Sequence, residues 1–128
     1  MHIEEHVHDD GVVWVVCGRL TEQAGEALAR AWDHALQFGC RRIVIDLGGV
    51  SMIDAGGLGS LVTLYGACAA HLIALCLARV PGRVRRLLSL TQLTRFLPIV
   101  DSVQEARLPS CGGGIPRTGK PPPQLAAC

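Results

Sequence analysis

A chain of 128 residues, 49% apolar and 18% charged, has the size and composition of one domain with a proper core, which excludes a wholly disordered chain. A net charge of +1 excludes a strongly basic nucleic-acid footprint and an acidic tail.

Residues 3–8 alternate weakly and read as a first strand. Asp9-Asp10-Gly11 is a turn signal, and residues 12–17, rich in Val and Trp, form a strong second strand, so the two make a hairpin. Thr21 reads as an N-cap with Glu22 in the first turn. Ala24, Ala27, Leu28, Ala31, Trp32, Ala35 and Leu36 then lie on one helix face, and Gly39 ends the helix. Ile43, Val44, Ile45 and Leu47 give a nearly continuous apolar strand, and Gly48-Gly49 reads as a turn. Asp54 caps a second helix over residues 55–70, and residues 72–78 form another buried strand. Pro81 opens a third helix, with Val84, Leu87 and Leu88 facing inward. Pro98 interrupts the chain, Ile99-Val100 forms a short last strand, and Asp101 or Ser102 caps a short helix containing Val103 and Ala106.

From Pro109 the composition turns to glycine and proline without periodicity. The expected organisation is one domain over residues 1–108 and a disordered tail over residues 109–128. The order β-β-α-β-α-β-α-(β)-α predicts an α/β sandwich: a mixed sheet of four to five strands with about four helices. Right-handed crossovers put the successive βαβ helices on one face of that sheet.

Residues 57–80 are apolar over a length that would span a membrane. His71 near the middle, and the change there from helical spacing to a strand-like run, argue against a span. The first ten residues carry acids and histidines and no basic n-region, so no secretory signal is expected. Of the six cysteines, Cys17, Cys40, Cys68 and Cys76 lie in apolar segments, and none forms a C-x-x-C pair with any other, Cys111 and Cys128 included. Reduced thiols in the cytoplasm are expected, without a disulfide framework or zinc site.

The sharpest local feature is residues 43–59, a buried strand, a loop and a helix with a glycine-rich start. Glycine costs about 1 kcal/mol relative to alanine inside a helix, so Gly56, Gly57 and Gly59 need a physical reason. They leave backbone N–H groups bare for an anion or a partner, or they permit close helix–strand packing. At this segment the chain resembles the STAS family (sulphate transporter and anti-sigma-factor antagonist), in which D-S-S-G-L-G starts the second helix. Here Asp54-Ala55-Gly56-Gly57-Leu58-Gly59 stands in its place. Gly18-Arg19-Leu20 before the first long helix, and Val84-Arg85-Arg86-Leu87-Leu88 leading into Leu93, Phe96 and Ile99, extend the resemblance over residues 3–108.

The resemblance implies a STAS-like sandwich and protein–protein switching. The antagonist binds an anti-sigma factor, often a serine kinase, and so frees a sigma factor. The kinase phosphorylates the second serine of D-S-S-G, adding about −2 charge at a helix N-terminus. This chain has Gly56 at that position and Ala55 before it, and Thr21 where the family often carries an acid. The phosphoserine switch is therefore not expected at Gly56, and Ser51 and Ser60 are the nearby hydroxyls. Serine at position 56 is expected to be tolerated if φ is negative there. The expected partner surface is Ser51, Asp54, Gly56, Gly57, Leu58 and Ser60. Leu58→Glu and Gly57→Arg are expected to break binding but not the fold if those positions face outward. The partner implied is an anti-sigma factor or serine-kinase-like protein; the alternative is a STAS subunit of a phospholipid ABC transporter assembly, with a membrane ATPase as partner.

Other constellations carry less. Gly56-Gly57-Leu58-Gly59 is neither G-x-G-x-x-G nor a P-loop. His6, His8, Asp9 and Asp10 read as a solvated edge ahead of a metal site. Cys17, Cys68 and Cys76 lack a histidine at motif spacing, and Asp46 and Asp54 each have a structural reading. No enzyme activity, cofactor, metal or nucleic acid is expected.

Overall fold

The computed structural model describes residues 1–8, 11–37 and 39–101. Strand β1 (His2–Val7) pairs antiparallel with β2 (Gly11–Leu20), as the hairpin pattern predicts. Helix α1 (Ala24–Gln37) leads to β3 (Arg42–Ile53), parallel to β2. Helix α2 (Ala55–Ala70) leads to β4 (Ala74–Ala78), parallel to β3. Helix α3 (Gly82–Leu90) and a 3-10 turn (Leu93–Arg95) lead to β5 (Ile99–Val100), parallel to β4. The strands lie in sequential order, a mixed five-stranded sheet. The expected α/β class and mixed sheet are observed, with three α-helices among the described residues. The expected helix with Val103 and Ala106, and the tail over residues 109–128, lie outside them.

The period of two along the strands separates two apolar layers. Val12, Trp14, Val16, Ile43, Ile45, Leu47, Leu75 and Leu77 join one buried cluster with Leu28 of α1, Leu61 and Leu64 of α2, and Val84 and Leu88 of α3. All three helices therefore cover one face, as right-handed crossovers require. Val13, Val44, Cys76 and Ala78 form a second buried cluster on the other face. Trp14 is fully buried, and its Nε1–H donates to Glu5 Oε2 at 2.9 Å, which satisfies its one donor. Glu5 Oε1 also lies 2.6 Å from Nδ1 of His34, fastening the hairpin to α1.

Strand β2 runs past residue 17 to Leu20, and three further boundaries differ from the sequence expectation. Helix α1 begins at Ala24, because residues 21–23 form a turn in which the Ala24 N–H donates to the Thr21 carbonyl. Strand β4 begins at Ala74, because Leu72 takes a left-handed conformation (φ 57°) after the C-cap His71. The third difference is larger: Gly48-Gly49 is no turn, and β3 runs through it to Ile53. Val15 pairs with Asp46 and Cys17 with Gly49, so β3 carries an extra residue, a β-bulge. The Gly48 N–H bonds Asp46 Oδ1 at 2.9 Å, and Arg79 Nη1 donates to Asp46 Oδ2 at 3.2 Å. A Cβ on Gly48 would stand 2.8 Å from the Arg79 guanidinium, and one on Gly49 2.7 Å from Cys17 Sγ. At Gly49 the Cys17 side chain and the Val16 carbonyl leave little room for a Cβ, whereas at Gly48 the neighbour is the movable end of the Arg79 side chain.

Residues 57–80 are divided between α2, β4 and their connections. No helix among the described residues is long and apolar enough to cross a membrane.

Candidate partner-binding site

Strand β3 delivers the chain to the start of α2 beside the end of β2. Asp54 is the N-cap, as its position predicts: in extended conformation, its Oδ1 accepts the Gly57 N–H at 2.8 Å. The Asp54 N–H donates to the Leu20 carbonyl at 3.2 Å, so Gly18-Arg19-Leu20 and the α2 start are one structural unit. Gly18 has φ +102°, a conformation that favours glycine, and its carbonyl accepts the Ser51 hydroxyl at 3.3 Å.

The glycines at the α2 start divide by role. A Cβ on Gly57 would collide with the Leu20 carbonyl, and Gly57 is buried. A Cβ on Gly56 would collide with Glu22, whose Cα lies 2.7 Å from that point. Both residues are glycine so that the β2–α1 connection can lie against the helix. Gly59 is exposed, and a Cβ there would meet nothing within 4 Å among the described residues. Leu58 is half-buried and packs on the core. Position 57 therefore does not face outward, and Leu58 does so only in part, so Gly57→Arg and Leu58→Glu test packing as well as a surface. Tolerance of serine at position 56 is also overturned, because Glu22 occupies the space.

Of the two hydroxyls, Ser51 lies within β3 with its side chain exposed. Ser60 is half-buried and its Oγ donates to the Gly56 carbonyl at 3.1 Å. Both already have backbone acceptors. The structure thus brings Ser51, Asp54, Gly56, Gly57, Leu58 and Ser60 to one end of α2, with Ser51 and Ser60 on separate elements.

Sequence reasoning missed the groove beside this end. Helices α1 and α2 leave a cleft of about 420 Å³ lined by Glu22, Gly25, Trp32, Gly56, Ser60 and Ala67, among others. Small residues on facing helical stripes are its sequence signal, but the facing itself is tertiary. Trp32, one of its lining residues, packs edge-on against the His71 ring, with centroids 5.3 Å apart.

Among the described residues, no group of three or more His, Cys, Asp or Glu is placed to hold a metal. Cys40 and Cys68 are buried, and burial pushes the Cys68 thiol up to about 12 and raises that of Cys40. Both stay protonated and unreactive at neutral pH.

The arrangement is a mixed α/β sheet with a capped, glycine-rich second helix at the end of β3. The STAS domain model matches residues 2–106, and the chain belongs to this family. A Thermotoga maritima protein provisionally assigned as an anti-sigma factor antagonist has a similar crystal structure. It shows 27% identity and a TM-score of 0.75, covering 81% of this chain and 90% of that one. The Bacillus cell fate determinant SpoIIAA in its phosphorylated form matches at 19% identity and TM-score 0.64, over 82% and 96% of the two chains. A sulfate transporter family protein from Wolinella succinogenes matches at 18% and 0.67, over 73% and 79%.

Proposed function

We propose that this chain is a bacterial, cytoplasmic, non-enzymatic regulator of the anti-sigma-factor antagonist kind. It binds an anti-sigma factor and so influences sigma-factor-dependent transcription. The surface is the exposed part of residues 51–60, continued along the outer ridge of α2. Regulation does not use a phosphoserine at position 56; the chain binds constitutively, or answers to its partner's state or to abundance.

The observation that carries this reading is that ridge. Ala55, Gly59, Val62, Thr63, Gly66 and Ala70 are exposed, and α2 has no charged residue along its whole length. Among the described residues, neither Gly59 nor Gly66 has a neighbour within 4 Å of where a Cβ would stand, so packing among those residues does not require them. Each costs the helix about 1 kcal/mol relative to alanine. A smooth, uncharged, glycine-bearing ridge suits close approach by another protein surface, where charged residues are depleted at the centre. The anti-sigma-factor antagonist assignment of the Thermotoga relative supports the same reading.

The test is affinity purification of the tagged full chain from its own cells, with mass spectrometry of what co-purifies. A soluble kinase-like anti-sigma factor is expected. A membrane transport ATPase in its place would assign the chain to a transport assembly.

A further inference from the structure

Charge is segregated along this chain. Residues 1–54 carry nine of its acidic side chains and four arginines, whereas residues 55–100 carry no Asp or Glu and five arginines. Two of the five have carboxylate partners: Arg79 with Asp46, and Arg85 with Asp101 at 3.8 Å. Arg83, Arg86 and Arg95 have none among the described residues. Arg83 reaches the Ser51 carbonyl at 3.4 Å, and Arg95 bonds Gln92 Oε1 at 3.0 Å.

The three arginines without a carboxylate partner among the described residues lie along α3 and the 3-10 turn after it. Val84 and Leu88 point α3 into the core, and the spacing of Arg83, Arg86 and Leu90 puts them on the opposite face. Arg83, Arg85 and Arg86 fall in the first half of a nine-residue helix with no acid in its first turn. Positive charge at a helix N-terminus opposes the helix dipole, and the neighbouring arginines repel one another. Apolar exposure is concentrated in the same region: Leu90 is 74% and Phe96 53% exposed. Beside them a cleft of about 240 Å³ lies between α2 and the 3-10 turn, lined by Val62, Tyr65, Leu93, Phe96 and Leu97.

We infer that α3 and the 3-10 turn form a docking surface for an acidic, amphipathic segment of a partner protein. Its carboxylates face Arg83, Arg86 and Arg95, and one bulky apolar side chain fills the cleft. Carboxylates relieve the unfavourable charge on α3, and filling the cleft covers Phe96. A concave cleft takes an inserted side chain, whereas a bilayer surface engages protruding ones, so the geometry favours a peptide segment over lipid. This inference does not rest on the anti-sigma reading and holds for any partner with this chemistry.

The test uses the full chain and a fluorescein-labelled helical peptide with Glu on one face and Leu and Phe on the other. A peptide with Lys in place of every Glu is the control. The acidic peptide should bind more tightly by at least about tenfold, with an affinity that falls as salt rises. Amide shifts should map to α3 and residues 90–97. The double variant Arg83→Glu, Arg86→Glu should lose binding by about tenfold or more while keeping its CD spectrum. If that variant is poorly folded, Arg83→Gln with Arg86→Gln should show a smaller loss in the same direction. Val62→Trp, which intrudes on the cleft, should weaken binding without removing its salt dependence. Equal affinity for the two peptides, or shifts mapping elsewhere, overturns the inference. So does binding to phosphatidylserine vesicles with no binding to the acidic peptide.

Discussion

The Cα of Glu22 stands 2.7 Å from the point at which a side chain on Gly56 would begin. The obstacle is backbone, not the far end of a flexible side chain, so the β2–α1 connection must move to admit any other residue. Gly56→Ser should therefore destabilise the domain by about 1–3 kcal/mol, the usual range for overpacking. Gly59→Ala, three residues on and facing open space, should stabilise it by about 0.5–1 kcal/mol. Urea unfolding of the two variants beside wild type checks the pair. Equal effects would mean that the contact with Glu22 does not constrain the helix start.

Incubation of the purified chain with a cognate serine kinase should leave it unmodified. Position 56 offers no hydroxyl, the Ser60 Oγ is bonded to the Gly56 carbonyl, and the Ser51 Oγ to that of Gly18. Intact-mass spectrometry should show no phosphate adduct. Phosphate on Ser51 or Ser60 with a matching loss of partner binding would show that a switch exists at another hydroxyl.

Cys68 gives the stability a defined alkaline limb. Burial raises its thiol from the ordinary 9.0 to about 12 in the folded chain. Below pH 9 both states hold the proton and the full contribution is present. As pH rises from about 9 toward 12 the unfolded chain releases its proton while the folded one keeps it, so stability falls. Urea midpoints between pH 8 and 10.5 should decline, and Cys68→Ala should decline less steeply. Parallel curves for the two would contradict the account. Cys17, the exposed thiol among the described residues, should react with iodoacetamide well before Cys40, Cys68 or Cys76.

Val13, Val44, Cys76 and Ala78 are buried on the sheet face away from α1, α2 and α3. In sequence, residues 102–108 keep the apolar pair Val103 and Ala106 at helical spacing, and residues 109–128 have no apolar period. A chain ending at Leu108 should keep its melting temperature within about two degrees, since residues without packing contribute little. One ending at Asp101 should lose several degrees, since a few exposed apolar side chains are worth that much in a small domain. A large loss at Leu108 would show that the final segment docks.

The order of strands and helices was legible because it depends on local patterns. Ile43-Val44-Ile45 reads as a covered strand, and Asp54 as a cap three residues before the N–H it accepts. Gly48-Gly49 was misread because a glycine pair resembles a turn until Arg79 and Cys17, distant in sequence, are seen crossing it. The same holds for the candidate site. The glycines announced that something approaches the α2 start, but only the fold shows that Glu22 and Leu20 approach Gly56 and Gly57, whereas Gly59 is left open. Leu58, expected on the partner surface with its outward orientation left as a condition, is half-buried, because the 3.6-residue period places it over the core edge.

The most direct measurement is the affinity of the purified partner for wild type, Gly59→Arg and Val62→Glu by isothermal titration calorimetry. Both substitutions fall on the exposed ridge of α2, where a Cβ at position 59 meets nothing and Val62 is 43% exposed, so the CD spectra should match wild type. The account predicts a loss of at least about a hundredfold in each variant, the scale of a truncated or obstructed interface centre. Affinities within about twofold of wild type in both, with intact folds, lie inside the scatter of neutral rim contacts and would contradict the α2 ridge as the partner surface.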